Sequence, residues 1–159
     1  MTWGFMAVEI KVHGLDEIER KLKSLPEKLG RNAMRRALRK GANVIRDAAK
    51  ANAKRIDDPK TREQIWQNIA VASGGRKREK EAGGVMMRVG VRGGAKPASG
   101  DNGTPGGNTT HWRFVELGTS EARAQPFLTP AGAEKAQAAY DAIATDAIKQ
   151  FDKELSKLG

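Results

Sequence analysis

The chain contains no cysteine, which excludes disulfides, thiolate nucleophiles and cysteine-based zinc or iron–sulfur sites. Histidine is almost as scarce, with only His13 and His111. Neither accompanies a Ser or Cys signature, so no catalytic triad is expected. Aromatic residues make up 5% of the chain, so a core has to be built mostly from alanine and aliphatic side chains. No run approaches the ~18 apolar residues that cross a bilayer. The opening Met1-Thr-Trp-Gly-Phe-Met lacks the cationic and apolar regions of a signal peptide, and the expectation is a soluble cytoplasmic protein with no membrane contact. Phosphate-loop and dinucleotide fingerprints are missing as well.

What is present is charge. The 159 residues carry 29 Lys and Arg against 19 Asp and Glu, a formal net charge of +10. Such an excess implies either a polyanionic partner, with nucleic acid the first candidate, or plain solubility. The length suits one domain, 1–159, large enough to bury a core. Asp57 and Asp58 are the tightest carboxylate pair. They precede Pro59 and read as a helix stop rather than a metal site. Glu63, Glu79 and Glu81 stand among cations and read as solvated ion pairs. No catalytic residue, metal ligand or cofactor is assigned, and the chain reads as a non-enzyme.

Periodicity gives the elements. Val8, Ile10 and Val12 alternate with polar residues, predicting a strand ended by Gly14. Leu15, Ile18, Leu22 and Leu25 predict a helix over 15–25, and Pro26 starts a long helix to about Arg55. On that long helix Lys28, Arg31, Arg35, Arg39, Arg46, Lys50 and Lys54 fall on one narrow face. Leu29, Ala33, Met34, Ala37, Leu38, Val44, Ile45 and Ala48 lie broadly opposite, and Gly41 among them predicts a close-packed neighbour. A helical turn within 61–73 leads into a strand at Ile69–Ser73. The segment 74–84 reads as a charged hairpin tip and 85–92 as its return strand. The Gly-rich stretch 93–111 is predicted to be a flexible loop, ordered only on docking. A strand over 112–119 follows. Thr129 and Pro130 then open a last helix with Ala133, Ala136, Tyr140, Ile143, Ala147, Phe151 and Leu155 as its buried stripe. The fold class is α+β: a small antiparallel sheet packed by a long basic helix and a C-terminal helix.

"FVELGTSEARAQPFLTPA" (114–131) is the most distinctive stretch. Glu116, near a predicted strand end, reads as a structural anchor that accepts hydrogen bonds from the following turn or pairs with a cation, rather than as an acid catalyst. Its change to Gln is expected to preserve much of the hydrogen-bonding shape. Phe114, Val115, Glu116, Gly118 and Thr119, followed by Ala124, Gln125, Pro126, Phe127, Leu128, Pro130 and Ala131, resemble the C-terminal signature of a bacteriophage family. These are the tail-completion or head–tail joining proteins of long-tailed phages. The segment 12–53 is similar to that family's opening strand, Gly-Leu and long basic helix. The family's T-G-x-L-R-x-S-I segment is altered here, with Arg62 after Thr61.

The resemblance implies a structural virion protein of the phage neck, in the host cytoplasm only during assembly, with no metal or cofactor. It implies a ring, hexameric in copy number, that contacts neighbouring neck or tail proteins and touches DNA transiently in the channel. In this reading Glu116, Gly118, Thr119, Gln125, Pro126, Phe127, Leu128 and Pro130 form a structural corner. Phe127 and Leu128 plug the core, and the basic ridge on the long helix meets a subunit, DNA or solvent. The acids Glu134, Asp141, Asp146, Asp152 and Glu154 of the last helix are its candidate subunit partners. The alternative reading is a free nucleic-acid-binding protein that uses the basic ridge.

Overall fold

The computed structural model of the protein describes residues 8–57, 60, 63–92, 106–107 and 109–159. The element order is α1 (Leu15–Lys23), α2 (Glu27–Ile56), α3 (Ile65–Asn68), β1 (Ile69–Ser73), α4 (Arg76–Ala82), β2 (Met87–Val91), α5 (Trp112–Leu117) and α6 (Leu128–Leu158). The two strands pair antiparallel, Ile69 opposite Val91 through Ser73 opposite Met87. The α+β class stands, with the helices carrying most of it.

The frame is the antiparallel pair α2 and α6. Small residues let the two backbones approach: a Cβ on Gly41 would sit 2.7 Å from the Ala139 carbonyl and 2.5 Å from Ile143 Cγ1. At one end of the pair, Ala33 and Ala37 meet Ala144, Ala147 and Phe151, with Ile18 and Leu25 closing the cluster. At the other, Ala49 and Ala53 meet Phe127, Ala131, Ile65 and Ile69. With few large side chains available, close alanine contact supplies the burial that bulk would supply elsewhere.

Three predicted elements differ. Residues 8–13 form no strand, and among the described residues none pairs with them. They lie along α6 instead: the Lys11 N–H donates to Gln137 Oε1, Gln137 Nε2 donates to the Lys11 carbonyl, and the Tyr140 hydroxyl donates to the His13 carbonyl. Val8, Ile10 and Val12 are all exposed. The stretch 76–82 is a helix between the strands rather than a hairpin tip, closed by Gly83 at φ 68°. Residues 112–117 are the helix α5, not a strand. Trp112 and Val115, three apart, both pack on the second cluster, which only the helical period allows.

In α6 the stripe holds at Ala147 and Phe151, with Tyr140, Ile143 and Leu155 half-buried against the same cluster, while Ala133 is exposed and Ala131, Ala139, Ala144 and Glu154 are buried. The helix begins at Leu128, with Phe127 rather than Thr129 at its N-cap position. Of the Gly-rich stretch, 93–105 and 108 lie outside the described residues. Its far end is anchored, contrary to a loop free throughout. Fully buried Asn68 donates to the Gly107 carbonyl and to Thr109 Oγ1 and accepts from the Gly106 N–H.

Candidate functional site: a carboxylate-capped corner and a basic helix

Glu116 reaches across from α5 to the start of α6. Its Oε2 accepts from the N–H groups of Phe127 (2.7 Å) and Leu128 (3.0 Å). Its Oε1 accepts from the N–H (2.8 Å) and hydroxyl (2.7 Å) of Thr129. A helix leaves four N–H groups without an intrahelical partner, at its N-cap and first three positions. Here those positions are Phe127, Leu128, Thr129 and Pro130, and proline has no N–H to satisfy. One carboxylate therefore takes every orphan donor of α6, and its charge sits at the positive end of the helix dipole.

Burial pushes the Glu116 carboxyl up, and the bonds from Leu128, Phe127 and Thr129 outweigh it, so its pKa is lowered. The predicted partner, the Gly118-Thr119-Ser120 turn, is not the one it uses.

That turn has its own closure. Gly118 has φ +75°, where a Cβ would lie 2.7 Å from the Ala124 nitrogen, so both the left-handed backbone and the contact require glycine. Thr119 Oγ1 accepts from the N–H groups of Glu121 and Ala122, and the Thr119 N–H donates to the Ala122 carbonyl. Gln125 contributes through its backbone, donating to the Val115 carbonyl 2.8 Å away. The Gln125 and Pro126 side chains are exposed. Phe127 is fully buried as predicted; Leu128 is half-buried and packs on the second cluster, so only one of the pair is a full plug.

The basic ridge divides into parts. Glu79 on α4 is 6% exposed, not solvated as predicted, and it receives Arg35 at 2.9 Å and Arg31 at 3.8 Å. Arg46 is paired with Asp47 and hydrogen-bonded to Asn43. Lys54 lies 4.1 Å over the Trp66 ring. Lys28 and Arg39 point into solvent, and Lys50 is half-buried.

The acids of α6 offered as subunit partners are largely engaged within the chain: Asp141 by His13, Asp152 by Lys21, and Glu154 by Arg36 and Lys157. Burial raises the Glu154 carboxyl, but Lys157 and Arg36 win and its pKa is lowered. Arg36, Asn68 and the inward turn of Glu79 were invisible in the sequence, because each partner lies tens of residues away and no local period marks it.

Among the described residues no group of three His, Asp or Glu is placed to hold a metal ion, and no helix is long and apolar enough to cross a membrane.

A long helix pair with a small sheet and a sealed carboxylate corner defines a helical α+β scaffold. The chain belongs to the HK97-gp10-like family, described as "Bacteriophage HK97-gp10, putative tail-component", whose profile matches residues 16–118. It is thus a structural component of a phage tail and belongs to the virion. No curated protein and no solved structure matches it significantly.

Proposed function

We propose that this tail component is a neck subunit, completing the tail or joining it to the head as a hexameric ring around the DNA channel. The observation that carries the structural reading is the state of Glu116. The carboxylate most like a catalytic acid accepts four hydrogen bonds from the α6 N-terminus, which leaves it committed to holding two helices at a fixed angle. A rigid corner on an α2–α6 rod suits a part that must keep its shape between two larger assemblies.

Neighbouring neck or tail proteins are the other partners in this reading. The solvent-facing cations of α2 and α4 give DNA in the channel a weak, transient contact. A cryo-EM map of the virion neck tests the proposal: a ring of this chain at the tail's head-proximal end is expected, and its absence there would overturn it. Free nucleic-acid binding is the second reading, favoured by Arg76, Lys77, Arg78 and Lys80, all exposed on α4. It predicts tight duplex binding that weakens by about 0.9 log units per log salt for each phosphate neutralised.

A further inference from the structure

Helix α4 is docked by charge. Glycine pairs bound it, Gly74-Gly75 before and Gly83-Gly84 after, and among the described residues neither apolar cluster takes a side chain from Arg76–Ala82. Its one buried side chain is Glu79. That carboxylate takes Arg35 at 2.9 Å and Arg31 at 3.8 Å on α2, and its Oε1 accepts from the Met86 N–H at 3.4 Å. Drawing Glu79 inward turns the rest of α4 outward. Arg76, Lys77, Arg78 and Lys80 are all exposed, and exposed Arg88 reaches back to the Ser73 carbonyl at the foot of the helix. Glu81 is the one exposed acid between Gly74 and Arg92.

Spacing separates this surface from the α2 ridge. There Arg31 and Arg35 answer Glu79, and Lys28, Arg39 and Lys50 follow one another at eleven-residue intervals. Each interval is roughly 16 Å of helix, twice the screening length of about 8 Å at physiological salt. The four cations of α4 lie within roughly 6 Å of helix axis, so they act on a polyanion together. The kind of polyanion follows from what α4 lacks. A protein interface is built around an apolar or aromatic core and is depleted in lysine, but Ala82 is the only apolar side chain of α4. A nucleic-acid backbone asks only for Lys and Arg at its phosphates.

We propose that α4 is the surface through which this chain meets a duplex DNA backbone, and that Glu79 is its positioning residue, touching no phosphate but holding the helix outward. The proposal deepens the channel-contact reading above and rests on it. The purified full-length chain is titrated with a short fluorescent duplex over a salt series that starts low, and each variant's melting curve is recorded beside wild type. Lys77→Gln/Arg78→Gln/Lys80→Gln is expected to lower the salt slope by roughly two to three, at about 0.9 per phosphate. Lys28→Gln/Arg39→Gln/Lys50→Gln removes the same charge and is expected to lower it by about one at most. Glu79→Gln reads the positioning role by sign. Loss of a negative charge beside cations tightens DNA binding, whereas loss of the clasp weakens it several-fold, with faster hydrogen exchange confined to 76–82. If Glu79→Gln melts too early to assay, Glu79→Asp, which keeps the charge and shortens the reach, should show the same weakening. Unchanged or tighter binding in the Glu79 variant overturns the positioning role. A wild-type slope in the α4 variant overturns the surface and leaves the DNA contact standing. Wild-type affinity for polyglutamate equal to that for the duplex would point to an acidic protein and overturn the assignment to DNA. A wild-type chain that binds no duplex at low salt removes the contact reading and the proposal together.

Discussion

Replacing Glu116 by Gln removes one charge and turns one of two acceptor oxygens into a donor. All four partners of the carboxylate are donors, two on each oxygen. Whichever way the amide is placed, its NH2 faces two of them. If it faces Oε1's partners, the Thr129 hydroxyl can rotate to accept, and one N–H is orphaned. If it faces Oε2's partners, the N–H groups of Phe127 and Leu128 are both orphaned. The sequence-based expectation of a mild change therefore does not survive the geometry. Loss of a helix cap costs about 1–2 kcal/mol and a hydrogen bond to a charged group contributes about 1.5–3, so about 3 kcal/mol is expected. For a chain of this size that lowers the melting temperature by roughly 6–12 °C.

Urea unfolding of wild type and variant at pH 7 measures the gap directly. Its pH dependence identifies the cause. The pKa of Glu116 is lower in the folded protein than in the unfolded chain. The stability it contributes is therefore fully present above the unfolded value, about 4.3, and is lost as pH falls through the folded one. The two curves should converge on acidification. A gap below about 0.5 kcal/mol at pH 7, or one unchanged into acid, would refute the capping argument.

Gly41→Ala is expected to cost roughly 1–3 kcal/mol, since its methyl meets the Ala139 backbone and Ile143 and α2 and α6 must separate; thermal melting reads this. Arg35→Glu sets a carboxylate against buried Glu79 and should destabilise by about 2 kcal/mol or more, whereas exposed Arg39→Glu should leave the melt within about 0.5 kcal/mol. Loss of assembly in the Arg39 variant alone would then report a contact, and equal melts for both would refute the Glu79 pairing. Phe127→Ala, at a fully buried position, should cost about 3–5 kcal/mol, and half-buried Leu128→Ala clearly less; chemical denaturation of the two variants checks the order.

The class of fold, α1, the long helix α2, the β1–β2 pair and α6 were legible in the residues, because each rests on a period that one segment carries by itself. Ile18 and Leu25 at helical spacing, Gly41 in an alanine-rich face and the alternation at Ile69–Ser73 determine local structure before any partner is in place. The same local reading fails where a short apolar run fits two periods. Val8, Ile10 and Val12 alternate like a strand, but a strand needs an edge, and the tertiary fold offers them Gln137 and Tyr140 instead. Trp112, Val115 and Glu116 could face inward only once the second core cluster and the α6 N-terminus stood beside them. That Glu116 is structural was legible from its neighbourhood of Gly-Thr turn and Pro-Phe-Leu entry. Which donors it serves was not, since they lie eleven to thirteen residues on. The burial of Glu79 under Arg35, forty-four residues apart, likewise comes from packing α4 on α2. Sequence separation hides such pairings because the chain-folding that joins them leaves no repeating signal in the residues between.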